Sequence, residues 1–150
     1  MILPVVAFGD PVLREIGIDI SKDYEGLPKL IENMWETMYG AEGVGLAAPQ
    51  IGKSIRLFII DASPFAEDEP GLEGFKKVFI NAEILEETGE EWSFKEGCLS
   101  IPGLRDNVKR QETIKIKYFD EQFKKHIEEY SGFAARVIQH EYDHIDGILF

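Results

Sequence analysis

The chain has 150 residues, of which 44% are hydrophobic, and a formal net charge of −12 at pH 7. The length predicts one domain with a sizeable core, and the negative charge argues against a nucleic-acid-binding protein, which would carry a basic surface. A single cysteine excludes an internal disulfide and fits a reducing cytoplasm. No stretch resembles a membrane span or a signal peptide, so we expect a cytoplasmic protein without a membrane anchor.

The first half of the chain predicts two helices followed by a buried strand. Asp10 and Pro11 predict the N-cap and first turn of a short helix. Apolar residues at helical spacing then predict an amphipathic helix over residues 25–39. The segment GVGLAAPQIG, residues 43–52, lacks the lysine of a phosphate-binding loop, and its small residues favour close approach of another backbone or a ligand. Residues 55–61 predict a buried strand.

The second half of the chain predicts strands followed by a helix. Residues 62–75 are acidic and contain several prolines and glycines, which predicts an exposed loop. Strands at residues 77–87 and 91–95 are predicted to form a hairpin around the TGE sequence between them. Residues 113–119 alternate in polarity and are predicted to pair with residues 123–130. This order favours an α+β fold, with mostly antiparallel sheets packed around the last helix and an earlier amphipathic helix.

The last predicted helix begins near Ser131, ends near Gly147 and carries the sequence HEYDH. His140 and His144 are four residues apart, so a helix places both imidazoles on one face, where they can bind one metal ion. Glu141 projects beside them and could accept a proton from water at that metal. Two histidines on a helix can also be ordinary core or surface residues, and the motif alone lacks a third ligand.

Cys98 is the residue elsewhere in the chain that could complete such a metal site. A lone cysteine is most often a small buried hydrophobic residue, and it can also be a nucleophile or a thiolate ligand. One thiolate and two imidazoles would leave a fourth coordination position open to water, as in a catalytic metal site.

Three segments, GVGLAAPQIG, EGCLS and QHEYDH, resemble the signature motifs of bacterial-type peptide deformylases, in the same order and at similar spacing. The resemblance covers nearly the whole chain and implies one catalytic domain spanning residues 1–150. Many bacterial members continue past the equivalent of Phe150 into a C-terminal tail. Such enzymes remove the N-formyl group from nascent polypeptides that begin with formyl-methionine, releasing formate. The resemblance therefore implies formylated nascent N-termini as the partners, and it leaves association with the ribosome open.

The resemblance also implies a metal cofactor. By motif match, the metal is held by Cys98, His140 and His144. In the family the native metal is a ferrous ion, Fe2+, and zinc, nickel or cobalt (Zn2+, Ni2+ or Co2+) are also accommodated. One thiolate and two imidazoles suit all four ions, so the ligand set does not choose among them.

The same motifs imply which residues carry out the hydrolysis. Glu141 would take a proton from water and later pass it to the leaving nitrogen. The tetrahedral oxyanion would be stabilised by the side-chain amide of Gln50 and the backbone N–H of Leu99, together with the metal. Gly45 belongs to the same wall, where its missing side chain would leave room for the substrate.

Other residues are expected around this site. Those expected to line the pocket for the methionine side chain are Val44, Phe133 and Val137. Glu96 and Arg110 match a family pair that braces the site, the alternative being a surface ion pair worth about 0–1 kcal/mol. Asp143 is expected either to orient a ligand or to be an exposed helix carboxylate.

Two alternative functions use the same residues differently. A zinc metalloprotease also has HExxH but usually takes its third ligand from downstream, where only Asp146 is available. A non-catalytic, metal-stabilised binding module would need neither Glu141 nor Gln50, since neither is required to hold a metal. Formate release from a formyl-Met peptide separates the deformylase from both.

Overall fold

The computed structural model describes residues 1–6, 9–67, 69–98 and 101–148. Within these ranges, the side chains of residues 70, 95, 97–98 and 101–107 lie outside the description.

The described residues form one five-stranded antiparallel sheet and two α-helices, which confirms the predicted α+β class. The strands, which neighbour one another in chain order, are β1 (Gly45–Ala47), β2 (Leu57–Asp61), β3 (Lys76–Cys98), β4 (Ile101–Phe119) and β5 (Lys125–Ser131). The helices are α1 (Leu27–Gly40) and α2 (Gly132–Ile145). Short 3-10 helices lie at Pro11–Arg14, Ala48–Ile51, Ser63–Phe65 and Pro70–Leu72. No helix among the described residues is long and apolar enough to span a membrane.

The sheet lies between the two helices because its central strands bury both faces. Successive side chains of a strand point to opposite faces. In β2, Phe58 and Ile60 belong to the apolar cluster that contains Ile138 of α2. Leu57 and Ile59 belong to the cluster formed with α1. The strand therefore appears in the sequence as a continuous apolar run, and α2 is held against one face of the sheet.

The helices and the turn of the β4–β5 hairpin follow their sequence signals closely, whereas β4 begins at Ile101, twelve residues before its predicted start at residue 113. Helix α1 agrees with the predicted range to within two residues at each end. The side chain of Asp10 accepts a hydrogen bond from the backbone N–H of Val12 at 3.1 Å, as predicted for an N-cap. Strand β5 begins at Lys125, two residues later than predicted, because Phe123 has a left-handed backbone with φ of 60° that ends the turn.

The predicted hairpin between residues 77–87 and 91–95 is wrong. Strand β3 passes through this region without a turn and pairs with β4 on both sides of it. The register shifts between Thr88 and Glu91, and Gly89 there has a φ of +83°. A glycine with positive φ inside a strand is typical of a β-bulge. The same residue that suggests a turn therefore absorbs one irregularity in a long, continuous strand.

A substitution at Phe58 tests how much the α2-side core contributes to stability. Phe58 is fully buried and stacks on Phe79 at a ring-centroid distance of 4.8 Å. Phe58→Ala should lower the free energy of unfolding by about 3–5 kcal/mol, because it removes buried area and leaves a cavity. Leu85→Ala, at a β3 position with 42% exposure, should change it by roughly 0.5 kcal/mol or less. Urea unfolding followed by circular dichroism measures both, and equal losses would contradict this account.

Candidate active site

Helix α2 presents the HExxH residues on a buried face. His140, Glu141 and His144 have exposed fractions of only 8%, 5% and 0%. The two imidazole rings lie 5.0 Å apart between centroids and at 80° to each other. Burial lowers the pKa of His144 to about 3, so this imidazole is neutral at pH 7, the form that can bind a metal. The structure thus brings both predicted histidine ligands together beside Glu141.

A carboxylate on strand β3 holds one of these histidines. His140 Nδ1 lies 2.8 Å from Oε1 of Glu96. Because Glu96 is ionised and can only accept, Nδ1 donates the proton of this hydrogen bond, which in a neutral imidazole leaves the lone pair on Nε2. Metal-binding histidines usually donate their second ring N–H to a carboxylate or a carbonyl in this way. The arrangement therefore fits a histidine that binds a metal through Nε2.

The predicted pair of Glu96 and Arg110 is present and buried, so it is not a surface ion pair. Arg110 donates from Nε and Nη2 to the two oxygens of Glu96, both at 2.8 Å. Burial by itself would raise the pKa of Glu96, but the hydrogen bonds from His140 and Arg110 outweigh it and lower the pKa to about 2. Arg110 also donates from Nη1 to Asp143 at 2.7 Å, so Asp143 of α2 anchors the arginine that anchors Glu96.

Arg136 of α2 is a further member of this network that was missed in the sequence analysis. Its Nη1 donates to Oε2 of Glu96 and to the carbonyl of Val108, and its Nη2 donates to the carbonyl of Trp92. The one available signal was an arginine at a helix position surrounded by apolar residues. Its partners on β3 and β4 are distant in the sequence, and two of them are main-chain carbonyls, so no local pattern identifies them.

Glu141 packs directly against Gly45 of strand β1. A Cβ atom at Gly45 would lie 2.6 Å from Oε2 of Glu141 and 2.8 Å from its carboxyl carbon. The missing side chain of Gly45 therefore makes room for Glu141, whereas the sequence analysis assigned that space to the substrate. Oε1 of Glu141 is buried and has no hydrogen-bond partner among the described residues. Burial raises the pKa of Glu141 to about 7, a value that suits a group that both accepts and donates a proton near neutral pH.

Gln50 lies in the 3-10 helix that follows β1, and its side chain is buried. Its Oε1 accepts a hydrogen bond from the backbone N–H of Ala47 at 2.9 Å. This hydrogen bond fixes the orientation of the amide, with Oε1 towards the main chain and the donor atom Nε2 on the other side. The side chain predicted to stabilise an oxyanion is thus oriented by the strand that also carries Gly45.

The residues predicted to line a methionine pocket all belong to the α2 side of the core. Val137 is buried in that cluster, and Val44 and Phe133 pack against it partly buried. The ring of Phe133 also contacts Phe65 at 4.6 Å and Phe94 at 5.3 Å between centroids. Phe65 was missed in the sequence analysis because it lies in the acidic segment predicted to be an exposed loop.

Two predicted residues cannot be placed at the site. Leu99 lies outside the described residues, as does the side chain of Cys98, whose backbone ends β3. Among the side chains that the structure describes, no group of three His, Cys, Asp or Glu residues could hold a metal ion. Glu96, two residues before Cys98, is bonded to His140, so this end of β3 does lie beside α2.

Comparison with known proteins identifies the family. The model of the polypeptide deformylase family matches residues 2–150 of the chain. The chain belongs to the peptide deformylase family. Members of this family are metal-dependent hydrolases that remove the N-formyl group from nascent polypeptides, and this chain is an enzyme of that kind. The metalloprotease and binding-module alternatives are therefore wrong.

Individual deformylases are similar to this chain over its full length. The peptide deformylase of Christiangramia forsetii is 61% identical over an alignment of 157 positions, which covers all of this chain and 80% of that protein. That of Salinibacter ruber is 45% identical and is covered to 79%. The crystal structure of the Thermotoga maritima deformylase superimposes with a TM-score of 0.89 at 42% identity, covering 99% of this chain and 95% of that one. A Synechococcus elongatus deformylase in complex with actinonin gives 0.87 at 38% identity, covering 99% and 76%.

The contact between Gly45 and Glu141 generates a prediction about deformylase activity. Gly45→Ala should displace the Glu141 carboxyl group, because the new Cβ would lie within 2.6 Å of Oε2. Formate release from a formyl-Met peptide should then fall by about 10²-fold, the usual effect of a misplaced catalytic group. Gly71→Ala is the matched control, since a Cβ at Gly71 meets nothing within 4 Å, and it should keep wild-type activity. Wild-type turnover by Gly45→Ala would contradict the assignment.

Proposed function

We propose that this deformylase holds one divalent metal through Cys98, His140 and His144. Three observations support the proposal. The two histidines share a buried helix face, Glu96 holds Nδ1 of His140, and β3 ends beside α2 at Cys98. Together with a thiolate, two neutral imidazoles form a donor set that ferrous iron, zinc, nickel and cobalt all accept. We propose ferrous iron as the native metal, as in the family.

Such a metal, when bound, would lower the pKa of a water molecule and polarise the formyl carbonyl. The remaining chemistry belongs to side chains of this chain. Glu141 would accept the proton of the attacking water and then deliver it to the nitrogen of the departing methionine. Its position beside His140, with Nε2 to Oε2 at 3.9 Å, supports this role. Its near-neutral pKa lets one carboxyl group act first as base and then as acid.

The oxyanion that forms on the formyl oxygen needs hydrogen-bond donors in place before the reaction. We assign the Gln50 side-chain amide and the Leu99 backbone N–H to this role. The contact between Ala47 N–H and Gln50 Oε1 supports it, because it holds the amide in one orientation and avoids reorganisation during the reaction.

The methionine side chain of the substrate would occupy a pocket lined by Val44, Phe133 and Val137. These residues share one apolar cluster on the α2 side of the sheet. The aromatic contacts of Phe133 with Phe65 and Phe94 would make one side of this pocket rigid. A flexible, unbranched thioether fills an irregular apolar pocket well.

The cellular setting follows from the substrate class. Formylated N-termini emerge from the ribosome, so we propose a cytoplasmic enzyme that acts there on nascent chains. The net charge of −12 makes direct binding to ribosomal RNA unfavourable, so any association would depend on the peptide or on a protein surface. We also propose that residues 1–150 form one catalytic domain, since both apolar clusters share the same sheet.

Separate roles for Glu141 and His144 predict different behaviour for two variants on the same helix. Glu141→Ala should still bind one metal per chain, and formate release should fall by about 10²–10⁴-fold because the proton carrier is lost. His144→Ala should lose both metal and activity. For each variant, mass spectrometry measures the metal content and formate release measures the activity, and circular dichroism checks folding. Equal metal loss in both variants would make Glu141 a ligand or a structural residue.

The apolar pocket predicts selectivity for the first residue. Formyl-Met peptides should be hydrolysed faster than formyl-Asp peptides of the same sequence, because an aspartate would bury a charge among apolar residues. A formyl-norleucine peptide is the matched control and should behave like formyl-Met, since it keeps the length and lacks only the sulfur. Values of kcat/KM for the three peptides check this, and equal values for formyl-Met and formyl-Asp would refute the pocket assignment.

A further inference from the structure

Arg136 is a buried arginine on the HExxH helix to which the deformylase reaction assigns no role. Only 2% of its surface is exposed. Its guanidinium binds Glu96, the Val108 carbonyl at 3.0 Å and the Trp92 carbonyl. Its Cζ also lies 4.2 Å from the centroid of the Trp92 ring. The side chain therefore joins α2 to both β3 and β4.

The geometry around Glu96 shows what this arginine holds. Oε1 of Glu96 accepts hydrogen bonds from Nη2 of Arg110 and from Nδ1 of His140. Oε2 accepts hydrogen bonds from Nε of Arg110 and from Nη1 of Arg136. Each oxygen has two donors, so the carboxylate cannot rotate or shift without losing hydrogen bonds. Arg136 fixes the oxygen opposite the one that His140 uses.

Structural stabilisation alone is a weak explanation for this arginine. Burying a guanidinium costs desolvation energy, and an apolar side chain of similar size often serves a core equally well. Nε of Arg136 is buried and has no hydrogen-bond partner among the described residues. Burying this N–H group without a partner costs stability, which favours a role for Arg136 in positioning Glu96.

We propose that Arg136 is a positioning residue for the metal site. Together with Arg110 it fixes the Glu96 carboxylate, which holds His140 and thereby sets the orientation in which Nε2 faces the metal. Arg136, His140 and Asp143 are spaced four and three residues apart, so one face of α2 supplies all three contacts to the Glu96–Arg110 pair. The inference rests on the proposed role of His140 as a ligand.

Arg56 provides a matched control because it also anchors α2 without touching Glu96. Its Nη1 donates to the Ile145 carbonyl at 3.3 Å and to Asp146 at 2.9 Å. Its Nη2 donates to the Ala82 carbonyl at 3.1 Å. Arg56→Met should therefore loosen the C-terminal end of the helix and leave the orientation of His140 unchanged.

The test measures Co2+ binding by competition with a chelator, together with the visible absorption spectrum of the cobalt-loaded protein. Arg136→Met should weaken Co2+ binding by about tenfold, the lower end of the effect of losing an outer hydrogen-bond partner, and should shift the cobalt absorption bands. Arg56→Met should keep the wild-type affinity and spectrum even where it lowers the Tm. Equal changes in both variants, or none in Arg136→Met, would overturn the proposal.

A double-mutant cycle tests whether Arg136 acts through Glu96. Glu96→Gln should weaken Co2+ binding by about 10–100-fold. Adding Arg136→Met to it should then have little further effect, because the carboxylate that Arg136 positions is already absent. A full additional tenfold loss in the double variant would show that Arg136 acts independently, and the proposal would be wrong.

Two further variants separate the possible failures. Arg136→Lys keeps a cation near Trp92 and guards against misfolding of Arg136→Met. It should also weaken Co2+ binding, since one ammonium cannot reproduce the planar fork that reaches Glu96 and two carbonyls. Wild-type binding by Arg136→Lys would overturn the proposal. His140→Ala should bind Co2+ poorly, and if it binds as wild type, the ligand assignment in the proposed function has failed instead.

Discussion

The Glu96 carboxylate is the point on which the active site of this deformylase depends. It is buried, it receives hydrogen bonds from two arginines and one histidine, and these donors come from β4 and α2. A carboxylate buried alone would be strongly unfavourable, so the two cations are a condition of its presence. Once compensated, it joins the helix to the two long strands at the level of the HExxH residues. One interaction therefore both joins the helix to the strands and orients the imidazole of His140, the proposed metal ligand.

The long strands matter because they carry both partners to the helix. Glu96 lies near the end of β3. Arg110 of β4 pairs with Trp92, which precedes Glu96 by four residues on β3. Two separate hairpins would not place a carboxylate and an arginine on adjacent strands in this way. The bulge near Gly89 shifts the register with β4 without ending β3, so the strand continues as far as α2. The feature that misled the hairpin prediction is thus what lets one strand serve both the core and the site.

Local signals were sufficient for α1, for α2 and for the turn of the β4–β5 hairpin, because periodicity and turn residues act over a few positions. They failed at Gly89, since a turn and a bulge make the same demand on one glycine and only the distant partner strand decides between them. They also failed at Arg136, whose partners include main-chain carbonyls that carry no sequence signature. The small residues of segment 43–52 indicated close approach of another backbone or a ligand. What they could not indicate was that the group approaching Gly45 is Glu141, 96 residues later in the chain.

The contact between Gly45 and Glu141 explains how the fold buries the carboxyl group that is the proposed proton carrier. Glu141 is surrounded by protein because β1 has no side chain at Gly45, so the strand backbone can close over it. The loss of solvent favours the neutral acid and raises the pKa. Glu96 is also buried, but its pKa is lowered because His140 and Arg110 donate hydrogen bonds to its carboxylate. Burial thus raises the pKa of Glu141, whereas hydrogen bonds lower that of Glu96, and this difference fits the proposed roles of Glu141 as proton carrier and of Glu96 as the residue that positions His140.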